Sequence, residues 1–226
     1  MNSSADTAAE IPASLRDFVA RAKKNLSLQV PANLNAPAAL DELMALQGDH
    51  QLAKDMAKIL ADKPFRPAAV LVAVVAHEQP TFLLTQRAEK LSTHSGQVAF
   101  PGGRIDPGDR DPADAAMREA MEEIGLAREF ISPLGYLDPY LSGTGFRIVP
   151  TVALVRPGFM LHVNPDEVVD AFEVPFDFLM SPDNHQRHSR EWKGILRSYY
   201  AMPYGERYIW GATAGMIRRL YERLYS

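Results

Sequence analysis

Residues Phe100–Leu126 read FPGGRIDPGDRDPADAAMREAMEEIGL. A glycine pair and a string of aspartates lead into a segment that packs Arg118, Glu119, Glu122 and Glu123 into six residues. Like charges one turn apart on a helix repel by about 0.2–0.5 kcal/mol per pair. Either water absorbs that cost or a positive group sits there. Asp111 suits an N-cap, Pro112 the first helical position, Asp114 the first turn and Gly125 a left-handed stop. The pattern predicts a helix over 112–124 with Ala113, Ala116, Met117, Ala120, Met121 and Ile124 as its apolar stripe. Glu119 and Glu123, four apart, lie one above the other, with Glu122 beside them. Converging carboxylates suit Mg2+ or Mn2+ rather than zinc; the alternative is a solvated acidic face. Ahead of the helix, GQVAFPGG carries a strand into Gly102 and Gly103, where the backbone is free to pass close to a neighbour. Asp106 and Asp109 follow. Strand, glycine-rich loop and acidic helix in series make a platform for phosphate and metal.

Outward from this stretch, Ala68–Ala76 and Thr81–Arg87 read as strands joined by a polar turn, and 97–100 as a third, short one. Further strands are expected near 131–137, 147–155 and 168–173, a short helix in VPFDFLMSP, a hairpin of 195–203 with 207–210, and a closing helix over 211–225 with Met216, Ile217, Leu220 and Leu224 inward. Residues 1–11 are small and polar and expected to be loose. A helix is expected over 12–26 with Leu15, Phe18, Val19 and Ala22 on one face, followed by a connector and two more helical stretches. Strands outnumber helices and do not alternate with them, which points to an α+β layered domain. The expected division is a flexible 1–11, a helical extension over 12–66 and a catalytic domain over 67–226.

The chain has 226 residues, 46% hydrophobic and 23% charged, an ordinary globular composition. A net charge of −4 gives no footprint for a nucleic-acid partner. The absence of cysteine excludes disulfides, thiolate zinc sites and a cysteine nucleophile, and fits a reducing compartment. The longest apolar run, AAVLVAVVA, is strand-length and too short to span a membrane. No basic stretch followed by an apolar one marks a signal peptide. The expectation is a cytoplasmic enzyme with a small-molecule substrate and neither nucleic acid nor membrane as partner. A homodimer stays open.

REAMEEIGL, from Arg118 to Leu126, resembles the second half of the Nudix box, the signature of pyrophosphohydrolases. The first half departs from it. Counting from Gly103, the acidic position falls on Asp109, and eight residues rather than seven separate it from Arg118. LLTQRAEKLSTHSGQVAFPGG, from Leu83 to Gly103, resembles the extra signature of the coenzyme A pyrophosphatase branch, as does YIWGATAGMIRRL from Tyr208. The resemblance covers about residues 67–225. It implies an α/β/α sandwich with a mixed β-sheet and the loop and helix of the box packed on it. It also implies cleavage of the diphosphate of coenzyme A or its derivatives, giving 4′-phosphopantetheine (or its acyl form) and adenosine 3′,5′-bisphosphate. The alternatives are another nucleoside diphosphate derivative, such as ADP-ribose or a dinucleotide, and a non-catalytic nucleotide-binding module.

In such chemistry divalent cations neutralise the anionic substrate. Glu119 and Glu123 are the first candidates as metal ligands, and the resemblance implies the same pair. Glu122 is either a third ligand or the general base. Glu167, at a place where related enzymes often carry a glutamate, is a base, a distal ligand or a plain strand-edge carboxylate. Arg118 is read as orienting a neighbouring carboxylate, with Asp109 or Asp106 as partner. Gly102 and Gly103 offer backbone groups to metal or phosphate, or form a plain turn. Arg87, Lys90 and Arg104 are candidates for a ribose phosphate, and His94 either binds phosphate or locks its loop. Tyr140 and Phe146 flank LSGTG, which either stacks an adenine or packs normally. His185 and His188 sit three apart without an acidic neighbour and read as part of a polar loop.

Overall fold

The computed structural model describes residues 11–45, 47–48, 58, 60–89, 96–192 and 195–226. In chain order the elements are α1 (Arg16–Asn25), α2 (Leu40–Ala45), β1 (Gln47–Gly48), β2 (Arg66–Val75), β3 (Thr81–Arg87), β4 (Val98–Ala99), β5 (Gly102–Arg104), α3 (Pro112–Ile124), β6 (Ile131–Tyr136), β7 (Tyr140–Leu141) and β8 (Phe146–Val155). They continue with β9 (Val168–Pro175), α4 (Phe176–Leu179), β10 (Gln186–Trp192), β11 (Ile195–Tyr204), β12 (Arg207–Trp210) and α5 (Ala212–Tyr225).

The first nine strands form one mixed sheet, ordered β1-β7-β8-β2-β3-β4, with β5 on β2, β6 on β8 and β9 on β3. At its centre β2 runs parallel to β8 from Arg66↔Phe146 to Val75↔Val155. The unbroken apolar run of β2 follows from this position, because both of its faces are covered. Ala69, Leu71, Ala73 and Val75 pack with Ala115, Ala116, Ala120 and Ile124 of α3. Val72 and Val74 turn the other way, into a core shared with Leu15, Phe18 and Val19 near α1 and with Met216, Ile217 and Leu220 of α5. The result is a sheet sandwiched between α3 on one side and α1 with α5 on the other. Strands β10, β11 and β12 form a second, three-stranded antiparallel sheet, and Met202 and Ile209 anchor it in the α1–α5 core.

Three local expectations are corrected. Gly102 and Gly103 are strand residues, not loop: β5 pairs antiparallel with β2 at Val70↔Gly102 and Ala69↔Gly103. A Cβ on Gly102 would stand 2.4 Å from the Ala69 carbonyl oxygen, and its φ of +155° disfavours any side chain, so this pairing exists only because the residue is glycine. The stretch around His188 is strand β10 rather than loop. It escapes the alternation rule because Gln186–Glu191 are exposed on both faces, so no apolar residue marks either one. Met121 is 51% exposed, and Ala115 joins the inward face of α3.

Candidate active site

Helix α3 is bounded as its sequence dictates. The Asp114 amide donates to Asp111 Oδ1 at 2.8 Å, and Gly125 ends the helix at φ +69° with its amide on the Met121 carbonyl. Asp114 also carries Arg110 and Arg128 on its carboxylate, which hold it well below the usual carboxylate range. The alanine face of α3 allows close approach to β2 and β5. That approach presses the next face of the helix, bearing Glu119 and Glu123, against Gly102 and Gly103.

Glu123 is only 2% exposed. Its Oε2 accepts from the Gly102 amide at 3.1 Å, and Arg87 Nη1 stands 3.6 Å from its Oε1. Burial pushes the carboxyl up to about 7, against the opposing pull of the Gly102 N–H and of Arg87. A shift of that size means that keeping Glu123 ionised costs about 3 kcal/mol with no cation present. Glu119 is likewise raised by burial, with Arg118 pulling it back. Its carboxyl group fills the space where Gly103 lacks a side chain; a Cβ there would lie 2.5 Å from Glu119 Cδ.

The third carboxylate of the group is Glu167. Oxygens of Glu119, Glu123 and Glu167 all lie within 4.8 Å of one another. Asn164 steadies Glu167 through a long contact of 3.4 Å and caps its own turn by accepting from the Asp166 amide. Glu122 stands outside the group, its side chain 52% exposed and bonded to Arg118. The residues fit a divalent cation on chemical grounds: three hard oxygen donors converge, one of them nearly inaccessible to water and costly to leave uncompensated.

Arg118 ties the surroundings together. Nε and Nη2 grip the two oxygens of Asp109 at 2.9 Å each, a forked pair. Nη1 reaches Glu119 and Glu122 at 3.0 Å, and Nη2 also donates to the Arg104 carbonyl at 3.1 Å. Asp109 is held below its ordinary range by this arginine. Asp106 closes the turn, its amide on Asp109 Oδ2 at 2.8 Å, with its own carboxylate 3.7 Å from Arg118. One guanidinium thus fixes the aspartate turn, β5 and two glutamates together.

The remaining candidates divide. Arg87 joins the site at the end of β3, its Nε buried and without a hydrogen-bond partner among the described residues. Arg104 contributes its carbonyl while its side chain is exposed. His94 and Lys90 lie outside the described residues. Tyr140 is buried in β7, and the Phe146 ring carries the Arg66 guanidinium at 3.9 Å, so both are occupied by packing. His185 is buried with Nε2 2.8 Å from the Leu179 carbonyl, whereas His188 is exposed on β10; the two do not meet as a metal pair. Sequence reasoning missed Arg207, which donates to Gln86 and Asp170 and lies over Phe172, tying β12 to β3 and β9 behind the site. Thr213 does the same for α5 by donating to the Val98 carbonyl at 3.0 Å. No local pattern signals either contact, since each spans distant stretches of chain.

The fold and this carboxylate group define a hydrolase of phosphorus-containing anhydrides. The model of the NUDIX domain matches residues 64–193, and the chain belongs to the Nudix hydrolase family. It is 40% identical over 155 residues to an uncharacterized Nudix hydrolase, NudL, of Pectobacterium atrosepticum, covering 69% of this chain and 81% of that one. It is 38% identical over 159 residues to NudL of Yersinia pestis, covering 70% and 80%. Among solved structures, the NUDIX domain of Shewanella oneidensis NrtR, complexed with ADP ribose, aligns with a TM-score of 0.41 at 22% identity over 53% of this chain and 79% of that one. A MutT/nudix family protein from Enterococcus faecalis aligns with 0.44 at 18% identity over 70% and 61%. Nudix hydrolases work with divalent cations. No helix among the described residues is long and apolar enough to cross a membrane.

Proposed function

We propose that the chain hydrolyses the diphosphate of coenzyme A or a coenzyme A derivative, with Mg2+ or Mn2+, to 4′-phosphopantetheine (or its acyl form) and adenosine 3′,5′-bisphosphate. One observation carries the hydrolytic reading: Glu119, Glu123 and Glu167 converge within 4.8 Å beside β5, with Arg118 holding the first of them. The choice of coenzyme A rests on the stretch Leu83–Gly103. Its two ends border the carboxylates, Arg87 facing Glu123 and Gly102 donating to it.

In this reading Glu119 and Glu123 would hold a divalent cation, with Glu167 beside them as a further ligand or as base; the cation would offset the charge of the diphosphate and make the attacking water more acidic. The chain's own residues do the rest. Arg118 keeps Glu119 from swinging toward solvent, and the Gly102 amide fixes the Glu123 carboxylate. Arg87 places a positive charge at the mouth of the site, where a substrate phosphate would be received. Water forms the new P–O bond as the bridging P–O bond breaks. Its proton passes to a carboxylate; Glu167, which Arg118 does not engage, is placed to take it. Residues 67–226 form the catalytic domain, and 12–66 form an extension whose α1 covers the sheet. The site works in a reducing, cytoplasmic setting.

A substrate panel tests this. Coenzyme A should be cleaved well ahead of dephospho-coenzyme A and ADP-ribose, with loss of turnover in chelator and recovery on adding Mn2+ or Mg2+. Equal rates on all three substrates would remove the coenzyme A assignment, and turnover unaffected by chelator would remove the metal reading.

A further inference from the structure

We propose that β10 is a homodimer contact, pairing edge to edge with β10 of a second copy of this chain. The strand is one edge of the small sheet: β10 pairs with β11, and no strand among the described residues lies on its other side. Every residue from Gln186 to Glu191 is exposed. A strand bare on both faces and along one edge leaves a row of unpaired backbone groups, a template for another strand.

The charge pattern says which strand fits. In an antiparallel pair with a two-fold axis through residue k, residue i faces residue 2k − i of the other copy. Centred on Ser189, Arg187 faces Glu191 of the second copy and Glu191 faces its Arg187, two opposite-charge cross-strand pairs made at once. Both residues lie on the Ser189 face, because strand side chains alternate. Centring on Arg187, Arg190 or Glu191 sets a charge against itself, and centring on His188 pairs no opposite charges. Among the registers centred on residues Arg187 to Glu191, which overlap most of the strand, this one alone pairs opposite charges, and it is self-complementary, as an isologous contact requires. A single seven-residue strand pair buries less than the about 1,200 Å² of a stable interface. The association is accordingly weak, with a dissociation constant in the micromolar range.

Sedimentation velocity and light scattering across a dilution series test the proposal. The mass should rise from the 25.1 kDa of one chain toward twice that value with concentration. Arg187→Glu and Glu191→Arg should each weaken dimerisation by about tenfold or more, while retaining turnover as evidence of folding. The double variant R187E/E191R restores the charge pairs in swapped form and should recover the dimer. A wild-type mass that stays at one chain throughout would show that the charges only shield the edge, and would overturn the proposal. Dimerisation of the single variants equal to wild type would overturn it too, as would failure of the double variant to recover.

Discussion

Gly103→Ala separates the site from the fold. Gly103 has no left-handed φ, so alanine fits its backbone, and the atoms an added Cβ meets are those of the Glu119 carboxyl group, at 2.5 Å to Cδ and Oε1 and 2.7 Å to Oε2. Ordinary contact needs about 1 Å more. The carboxylate is the free end of a side chain and can move, at the expense of its 3.0 Å bond to Arg118. That loss costs about 1.5–3 kcal/mol for a charged hydrogen bond, offset by about 0.4–1 kcal/mol from the reduced freedom of the unfolded chain. Stability should fall by about 0.5–2.5 kcal/mol. Activity should fall on the order of 100-fold while the protein stays folded, since a displacement of about 1 Å in a catalytic group costs about 2.7 kcal/mol of barrier. The neighbouring Gly102→Ala behaves in the opposite sense. Its Cβ meets main chain, Ala69 O at 2.4 Å and Val70 Cα at 2.7 Å, at a φ of +155°. Backbone strain alone costs roughly 1–3 kcal/mol, and β5 must part from β2. Urea melts and kcat/KM measured on both variants decide the matter. A G103A protein with wild-type turnover would refute the placement of Glu119 against β5, and so would a G102A protein as stable as wild type.

Glu123→Gln should abolish turnover yet stabilise the metal-free protein at alkaline pH. The folded carboxyl sits at about 7 against an ordinary 4.5, so the unfolded chain ionises first. The wild-type penalty is absent below about pH 4.5, grows between 4.5 and 7 and reaches about 3 kcal/mol above that. Urea melts in chelator across this range should show the variant's advantage growing with pH and vanishing toward pH 4.5; a wild type more stable than the variant at pH 8 would contradict the assignment. Arg118→Lys should lower kcat/KM by about 100-fold or more, because an ammonium cannot grip both oxygens of Asp109 while reaching Glu119 and the Arg104 carbonyl. Wild-type kinetics in that variant would show the hub to be dispensable.

Much of this was written locally in the chain. The bounds of α3 follow from Asp111, Pro112 and Gly125, because capping is a matter of neighbouring residues. The same holds for β3, which spans Thr81–Arg87, and for the stacking of Glu119 over Glu123, which helix periodicity dictates. Tertiary structure decided which carboxylate joins them. Glu122 and Glu167 were equally eligible by type. The turn of α3 spends Glu122 on Arg118 and solvent, while the pairing of β9 with β3 carries in Glu167 from more than forty residues away. The strand character of Gly102 and Gly103 was hidden for the same reason: it depends on a partner, β2, more than thirty residues distant. The locking contacts of Arg207 and strand β10, exposed from Gln186 to Glu191, likewise left no local pattern. Helix caps and periodicity are energies between near neighbours and can be read along the chain, whereas sheet pairing and the burial of a charge are set by what the folded chain brings alongside.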